Sequence, residues 1–153
     1  MNNEYSVRRM EEKDVEQIVA IEKDTFSQPW SEVDFRKAWK DSHNIYFVVE
    51  KGREIIGYCG LWSVVDEGQI TNVAIRKDAR GQGLATKMMT ALLEEGIKEG
   101  LTAFTLEVRV GNHSARSVYK KLGFEEAGVR PNFYDHPKED AVIMWKYMKN
   151  VEY

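Results

Sequence analysis

The 153-residue chain has only one cysteine, Cys59. A single thiol excludes a disulfide framework. Its setting, Gly57-Tyr58-Cys59-Gly60, reads as strand, where a cysteine packs as a small apolar side chain. Histidine is nearly as scarce: His43, His113 and His136 lie far apart and form no ligand-spaced set, so no metal site is expected. A basic excess is also missing. The formal net charge of -3 is the wrong sign for a general nucleic-acid binder. No apolar run is long enough to span a bilayer and no secretory leader pattern is visible, so a cytoplasmic protein without membrane contact is expected. What is present is a hydrophobic fraction of 42%, enough for a core in one domain covering residues 1–153. Repeats and low-complexity tracts are absent.

Taken in order, Tyr5 to Arg9 reads as a short opening strand. From Glu11 onward Val15, Ile18, Val19 and Phe26 approximate a helical stripe. Ser27-Gln28-Pro29-Trp30 interrupts it, and Ser31-Glu32-Val33-Asp34 resembles a capping box for a second helix carrying Phe35, Ala38 and Trp39. The proline and tryptophan between these helices suit either a packed corner or a substrate-facing loop. Asn44 to Glu50, Ile55 to Val65 and Gln69 to Ile75 form three strands joined by tight turns, an antiparallel meander. Leu84, Met88, Ala91 and Leu92 mark a helix that stops near Gly100. Thr102 to Val108 is a strand, and Asn112 is a good N-cap for a helix carrying Ala115, Val118, Tyr119 and Leu122. Phe124 to Val129 and Ala141 to Lys146 are the last strands. Arg130 to Pro137 between them reads as a long aromatic loop holding Phe133 and Tyr134. The strands on either side of the central helix should be parallel within an otherwise mixed sheet.

The chain is organised around Val73 to Thr86. An apolar strand, Val73-Ala74-Ile75, runs into a basic turn, Arg76-Lys77-Asp78-Ala79-Arg80-Gly81-Gln82-Gly83, and then into the start of a helix. Gly81 and Gly83 allow a ligand to approach the backbone closely. A helix N-terminus offers free N–H groups and a positive dipole end to an anion such as a pyrophosphate. The P-loop is excluded because no Gly-Lys-Ser/Thr closes the frame, and the dinucleotide fingerprint fails because Thr86 stands where a third small residue is needed. A Gln/Arg-Gly-x-Gly-x-Ala pattern fits Arg80-Gly81-Gln82-Gly83-Leu84-Ala85. A plain strand-to-helix connection with incidental glycines stays open beside it.

Moving an acyl group from a thioester to an amine requires that the ammonium lose a proton, that charge on the carbonyl oxygen be stabilised, and that the departing thiolate be neutralised. Glu107 is the carboxylate of the Thr102–Arg109 segment, and Tyr119 on the following helix is a phenol able to donate a proton. Taken singly, a strand glutamate suits a solvated face, and a tyrosine on an apolar stripe suits the core.

The glycine turn resembles the pyrophosphate loop of the GNAT superfamily of N-acetyltransferases, which bind acetyl-coenzyme A. Leu106-Glu107-Val108-Arg109, Asn112, Ala115, Tyr119 and Leu122-Gly123-Phe124 are similar to a segment of its RimI branch, as are Asn72-Val73-Ala74-Ile75 and Pro29-Trp30-Ser31. That branch acetylates the N-terminal alanine of a small-subunit ribosomal protein. The resemblance covers nearly the whole chain. It implies the GNAT fold, an α/β (α+β) architecture with a mixed, mostly antiparallel sheet of about seven strands flanked by about four helices. It also implies acetyl-CoA as donor, no metal, and a ribosomal protein N-terminus as partner. By resemblance Glu107 is the general base and Tyr119 the general acid. Val73, Ala74 and Ile75 pair with the pantetheine arm, Arg80, Gly81, Gln82, Gly83, Leu84, Ala85 and Thr86 hold the pyrophosphate, and Asn112 adds a cofactor contact. Trp30, Phe133 and Tyr134 are candidates for flanking the acceptor, with Asp135, Glu139 and Asp140 attracting a basic tail. Val118, where the branch has leucine, and Pro131, where the branch is less rigid, depart from the pattern. The competing functions are acetylation of a lysine or small amine, and a non-catalytic acetyl-CoA sensor. A sensor would have no need of Glu107 and Tyr119.

Overall fold

A computed structural model describes residues 4–148. Its elements are β1 (Ser6–Arg9), α1 (Val15–Thr25), α2 (Glu32–Lys40), β2 (Asn44–Lys51), β3 (Glu54–Val64), β4 (Glu67–Ile75), α3 (Leu84–Lys98), β5 (Ala103–Arg109), α4 (His113–Lys121), β6 (Glu125–Asp135) and β7 (Lys138–Tyr147). Single turns of 3-10 helix at Glu12–Asp14 and Lys77–Ala79 precede α1 and follow β4. The strands form one seven-stranded sheet in the order β1-β2-β3-β4-β5-β7-β6. Every neighbouring pair is antiparallel except β4 and β5, which are parallel across α3 as their connection requires.

Helices cover both faces of the sheet, which is why β2 carries an unbroken buried run from Ile45 to Val49. Period-two alternation divides that run. Ile45, Phe47 and Val49 pack with Met88, Met89, Leu92 and Leu93 of α3 and with Phe104, Leu106 and Tyr119. Tyr46 and Val48 pack on the other face with Val15, Ile18 and Ile21 of α1, Phe35 of α2, and Tyr58 and Ala74. The Ser31 capping box is present: the Asp34 N–H donates to Ser31 Oγ at 3.1 Å and the Ser31 N–H to Asp34 Oδ2 at 2.9 Å. An ion-pair cluster ties the first turn to the sheet. Arg8 donates two parallel hydrogen bonds to Asp14, at 2.8 and 2.9 Å, and a third to Glu50 at 2.9 Å.

Two connections differ from the sequence expectation. The β3–β4 turn tightens to Val65-Asp66, because Val64 pairs with Glu67 and strand therefore begins before Gln69. The long loop expected over Arg130 to Pro137 is mostly strand. Tyr134 pairs with Glu139 and Asp135 with Lys138, leaving His136-Pro137 as a tight hairpin turn. Pro131 is accommodated by a bulge, since between the pairs Arg130↔Ala141 and Tyr134↔Glu139 three residues stand opposite Asp140 alone. Asn132 adopts φ 55° there, and its N–H donates to Asp140 Oδ1 at 2.8 Å.

The feature that positions the site is a break in the sheet. β4 and β5 pair only at Glu67↔Ala103, Gly68↔Phe104 and Gln69↔Thr105. Just beyond, Thr71 is an extra residue in β4, since Ile70 pairs with Leu61 and Asn72 with Gly60. That bulge bends β4 along β3, while β5 stays paired to β7 from Ala103 to Arg109. The two strands diverge, and β4 has no β5 partner over Val73–Ile75, where Arg80 Nε takes up the Ile75 carbonyl.

Candidate active site

The opening between β4 and β5 holds a cavity of about 590 Å³. Ile70 to Val73 line it from β4 and Leu106 to Arg109 from β5. Leu106 and Val108 belong to the core under α3 and α4, so strand alternation directs Glu107 to the opposite face, towards α1, α2 and the β6–β7 hairpin. Its side chain is 31% exposed and its Oε2 lies 3.6 Å from Arg130 Nε.

Tyr119 reaches the same cavity from the other face. Asn112 sets its helix: Asn112 Oδ1 accepts the Ala115 N–H at 3.2 Å, while the Asn112 N–H donates to the Arg109 carbonyl at 2.9 Å. With its oxygen used as the cap, Asn112 has its amide N–H groups left for a ligand. Tyr119 is buried, edge-on to Phe124 at 6.1 Å, and no residue among those described takes a hydrogen bond from its hydroxyl. Burial, with smaller contributions from Cys59 and Tyr134, pushes its pKa above the ordinary tyrosine value. The phenol therefore holds its proton at neutral pH.

The hairpin forms one wall. Phe133 projects from the Pro131–Phe133 bulge and meets Tyr134 edge-on at 5.0 Å. The Arg109 guanidinium lies 4.3 Å over the Tyr134 ring and donates to the Pro137 carbonyl at 2.9 Å and to Glu139 Oε1 at 3.2 Å. Burial, aided by the charge of Glu107 and opposed by Arg109, pushes Tyr134 up to about 12. Glu139 also accepts the Gly111 N–H at 2.7 Å. Glu139 is thus neutralised inside the hairpin by Arg109, which weakens its expected part in attracting a basic tail, whereas Asp140 accepts a backbone N–H and keeps its charge.

Trp30 forms the facing wall, 5.2 Å from Phe35 and 5.6 Å from Trp62 between ring centres. It serves both readings of its corner, packing against α2 and lining the cavity. Its backbone is anchored by Glu22, a group the sequence reading passed over. Glu22 is 2% exposed, accepts the Trp30 N–H at 2.9 Å and the Tyr58 hydroxyl, and lies 3.5 Å from Asn72 Nδ2. The sequence did carry a sign of it: a carboxylate occupies the buried stripe of α1, one turn beyond Ile18.

The glycine turn lies where β4 runs out. Gly81 and Gly83 have φ 81° and 76°, and the space where a side chain would begin is empty to 4 Å at both. The first internal bond of α3 runs from the Lys87 N–H to the Gly83 carbonyl at 3.1 Å, so the amides of Leu84, Ala85 and Thr86 precede it and are free of helix partners. Arg80 Nε donates to the Ile75 carbonyl at 3.0 Å and Gln82 Nε2 to the Ala79 carbonyl at 3.2 Å, so both side chains brace the turn. Arg76 is taken up by Asp78 at 2.7 Å and Glu54 at 3.5 Å, which leaves it little charge to lend a ligand. Glu107, Tyr119, Asn112, Val73, Trp30, Phe133 and Tyr134 all line the cavity, whereas Arg80–Thr86 lie beyond it at the head of α3.

The chain is similar in sequence and fold to known proteins over most of its length. The Acetyltransferase (GNAT) family model matches residues 15–124, more than half of the chain. A Bacillus subtilis (strain 168) protein named, provisionally, as a ribosomal protein bS18-alanine N-acetyltransferase is 38% identical over 146 residues, 95% of this chain and 97% of that protein. The ribosomal protein bS18-alanine N-acetyltransferase of Escherichia coli (strain K12) is 30% identical over 141 residues, 91% of this chain and 95% of its own. The crystal structure of the Escherichia coli ribosomal-protein-S18-alanine N-acetyltransferase superposes with a TM-score of 0.88 over 97% of each chain at 28% identity.

Proposed function

Since the chain belongs to the Acetyltransferase (GNAT) family, we propose that this N-acetyltransferase modifies the N-terminal α-amine, an alanine, of the small-subunit ribosomal protein bS18. The observation that carries this is the divergence of β4 from β5 around a cavity that Glu107 enters from one face of the sheet and Tyr119 from the other. Donor and acceptor would meet through that opening.

Acetyltransferases of this family use acetyl-coenzyme A, which supplies the acetyl group as a thioester. The residues present fit it. The backbone at Gly81 and Gly83 has room beside it, and the amides of Leu84, Ala85 and Thr86 suit a pyrophosphate. Arg80 and Gln82 hold the turn in shape, Asn112 offers its amide N–H groups, and the β4 edge without a β5 partner at Val73, Ala74 and Ile75 would pair with the extended pantetheine arm. Glu107 takes a proton from the ammonium, directly or through a water. The amine nitrogen then bonds to the acetyl carbon as the carbon–sulfur bond breaks, Tyr119 gives its phenolic proton to the departing sulfur, and the second proton that the nitrogen sheds on becoming an amide restores the phenol. A free α-amine is less basic than a lysine by roughly two and a half pKa units, so a carboxylate suits it better as base. Trp30 on one wall and Phe133 and Tyr134 on the other would flank an extended peptide.

A competition assay tests the acceptor. A peptide with a free N-terminal alanine is mixed with the same peptide blocked at that end and carrying an internal lysine. Mass spectrometry should place acetyl on the free terminus alone. Preferential labelling of the lysine would defeat the α-amine assignment.

A further inference from the structure

Asn72 carries the one buried side-chain polar atom among the described residues that has no hydrogen-bond partner, its Oδ1. The residue is 5% exposed. An unpaired buried acceptor is costly, and native structures keep few without a use for them. Glu22 sets the orientation of this one. A carboxylate only accepts, so it takes the amide N–H₂ of Asn72 and leaves the oxygen turned away. Glu22 is itself fixed by the Trp30 N–H and the Tyr58 hydroxyl, so the amide is aligned against a rigid partner.

The position of Asn72 gives that free oxygen a use. It follows the Thr71 bulge, on the stretch of β4 that has left β5, and it lines the cavity together with Glu22 and Trp30. Ala74, the next residue on the same side of β4, belongs to the α1–α2 core, so Asn72 is directed to that face. Glu107 is directed to the same face from β5. The two residues therefore stand on opposite banks of the opening, both on the acceptor side.

We propose that Asn72 is a specificity-determining residue for the acceptor: its Oδ1 accepts a hydrogen bond from an N–H of the incoming α-amine, and Glu22 is the positioning residue that holds the amide in that orientation. This rests on the α-amine function above. An ammonium brings three N–H groups and Glu107 needs only one. A second N–H held by Asn72 fixes the direction of the lone pair once the proton has left.

The test is a binding cycle on the protein saturated with coenzyme A, where no acetyl is available to turn over. One peptide begins with alanine; the other is identical but begins with a propionyl group, so only the amine is missing. Calorimetry on the wild type should find tighter binding of the amine peptide. Asn72→Leu should weaken that peptide about tenfold, the equivalent of one good hydrogen bond, and leave the propionyl peptide and coenzyme A unaffected. Asn72→Ala, which demands no new space, should do the same and stands in if the leucine variant does not fold. Glu22→Gln should narrow the ratio of the two affinities, and an unchanged ratio would remove Glu22 from the assignment. Equal loss on both peptides, or no loss, overturns the role of Asn72 alone. A wild type that does not distinguish the peptides overturns the α-amine function with it.

Discussion

Alanine at Gly83 separates two consequences of one backbone conformation. Gly83 is the N-cap of α3 with φ 76° and ψ 14°, a left-handed conformation that costs a residue with a Cβ roughly 1–2 kcal/mol. No clash adds to this, because a Cβ there meets nothing within 4 Å. Gly100 is the matched control. It has φ 93°, its Cβ position is equally empty, and it lies past the other end of the same 15-residue helix, roughly 25 Å away at 1.5 Å per residue. Gly83→Ala and Gly100→Ala should therefore lose similar stability, roughly 1–2 kcal/mol, or about 2–8 °C in Tm for a chain of this size. Their acetyl-coenzyme A affinities should part. Gly100→Ala should bind as the wild type does. Gly83→Ala puts a methyl group where a phosphate would approach the amides and should weaken binding about tenfold or more, the loss of at least one charge-assisted hydrogen bond. Gly83→Val should weaken it further. Thermal unfolding and calorimetry read the two quantities independently. A folded Gly83→Val variant with wild-type affinity would refute the assignment of this turn to the pyrophosphate.

Tyr119→Phe removes only a hydroxyl that no described residue holds, so Tm should barely move, while single-turnover acetylation should slow about a hundredfold or more; an undiminished rate would make Tyr119 a packing residue. Arg8→Met leaves the Asp14 side chain, 3% exposed, without its cation and should cost about 3 kcal/mol in chemical denaturation. The pH dependence follows from the same cluster. Burial alone would raise Asp14, but Arg8 and the Glu11 N–H bring it below the usual carboxylate value, and Arg8 lowers Glu50 likewise. Groups with depressed folded-state values stabilise the fold fully above roughly pH 4 and lose that contribution as pH falls below it. Arg8→Met should flatten this acid loss, and an unchanged slope would place it in other carboxylates.

The elements were legible wherever period and punctuation agreed. The stripe Leu84, Met88, Leu92 and the caps at Ser31 and Asn112 mark their helices without ambiguity, and the parallel pairing of β4 with β5 follows from the helix between them. The divergence of those strands was not legible, because it depends on a Thr71 bulge that exists only in the register against β3. The β6–β7 hairpin was misread for a related reason. Pro131, Asn132 and Pro137 carry loop chemistry, yet two of them sit where a ladder can spare them, in a bulge on an edge strand, and the third in a tight turn. Glu107 and Tyr119 were nameable in advance, but that they approach one cavity from opposite faces required the sheet. Glu22 and Asn72 lay in plain sight, a carboxylate and an amide in otherwise apolar elements, and only their burial distinguishes them from solvated polar residues.

The central claim, that Glu107 acts as the base within the opening between β4 and β5, is tested most directly by Glu107→Gln. The substitution keeps the shape of the side chain and removes its basicity. With a saturating peptide bearing a free N-terminal alanine at pH 7, kcat should fall by about two to four orders of magnitude, while calorimetry finds acetyl-coenzyme A bound as tightly as before. Near-native turnover by a variant that binds the donor normally would contradict it.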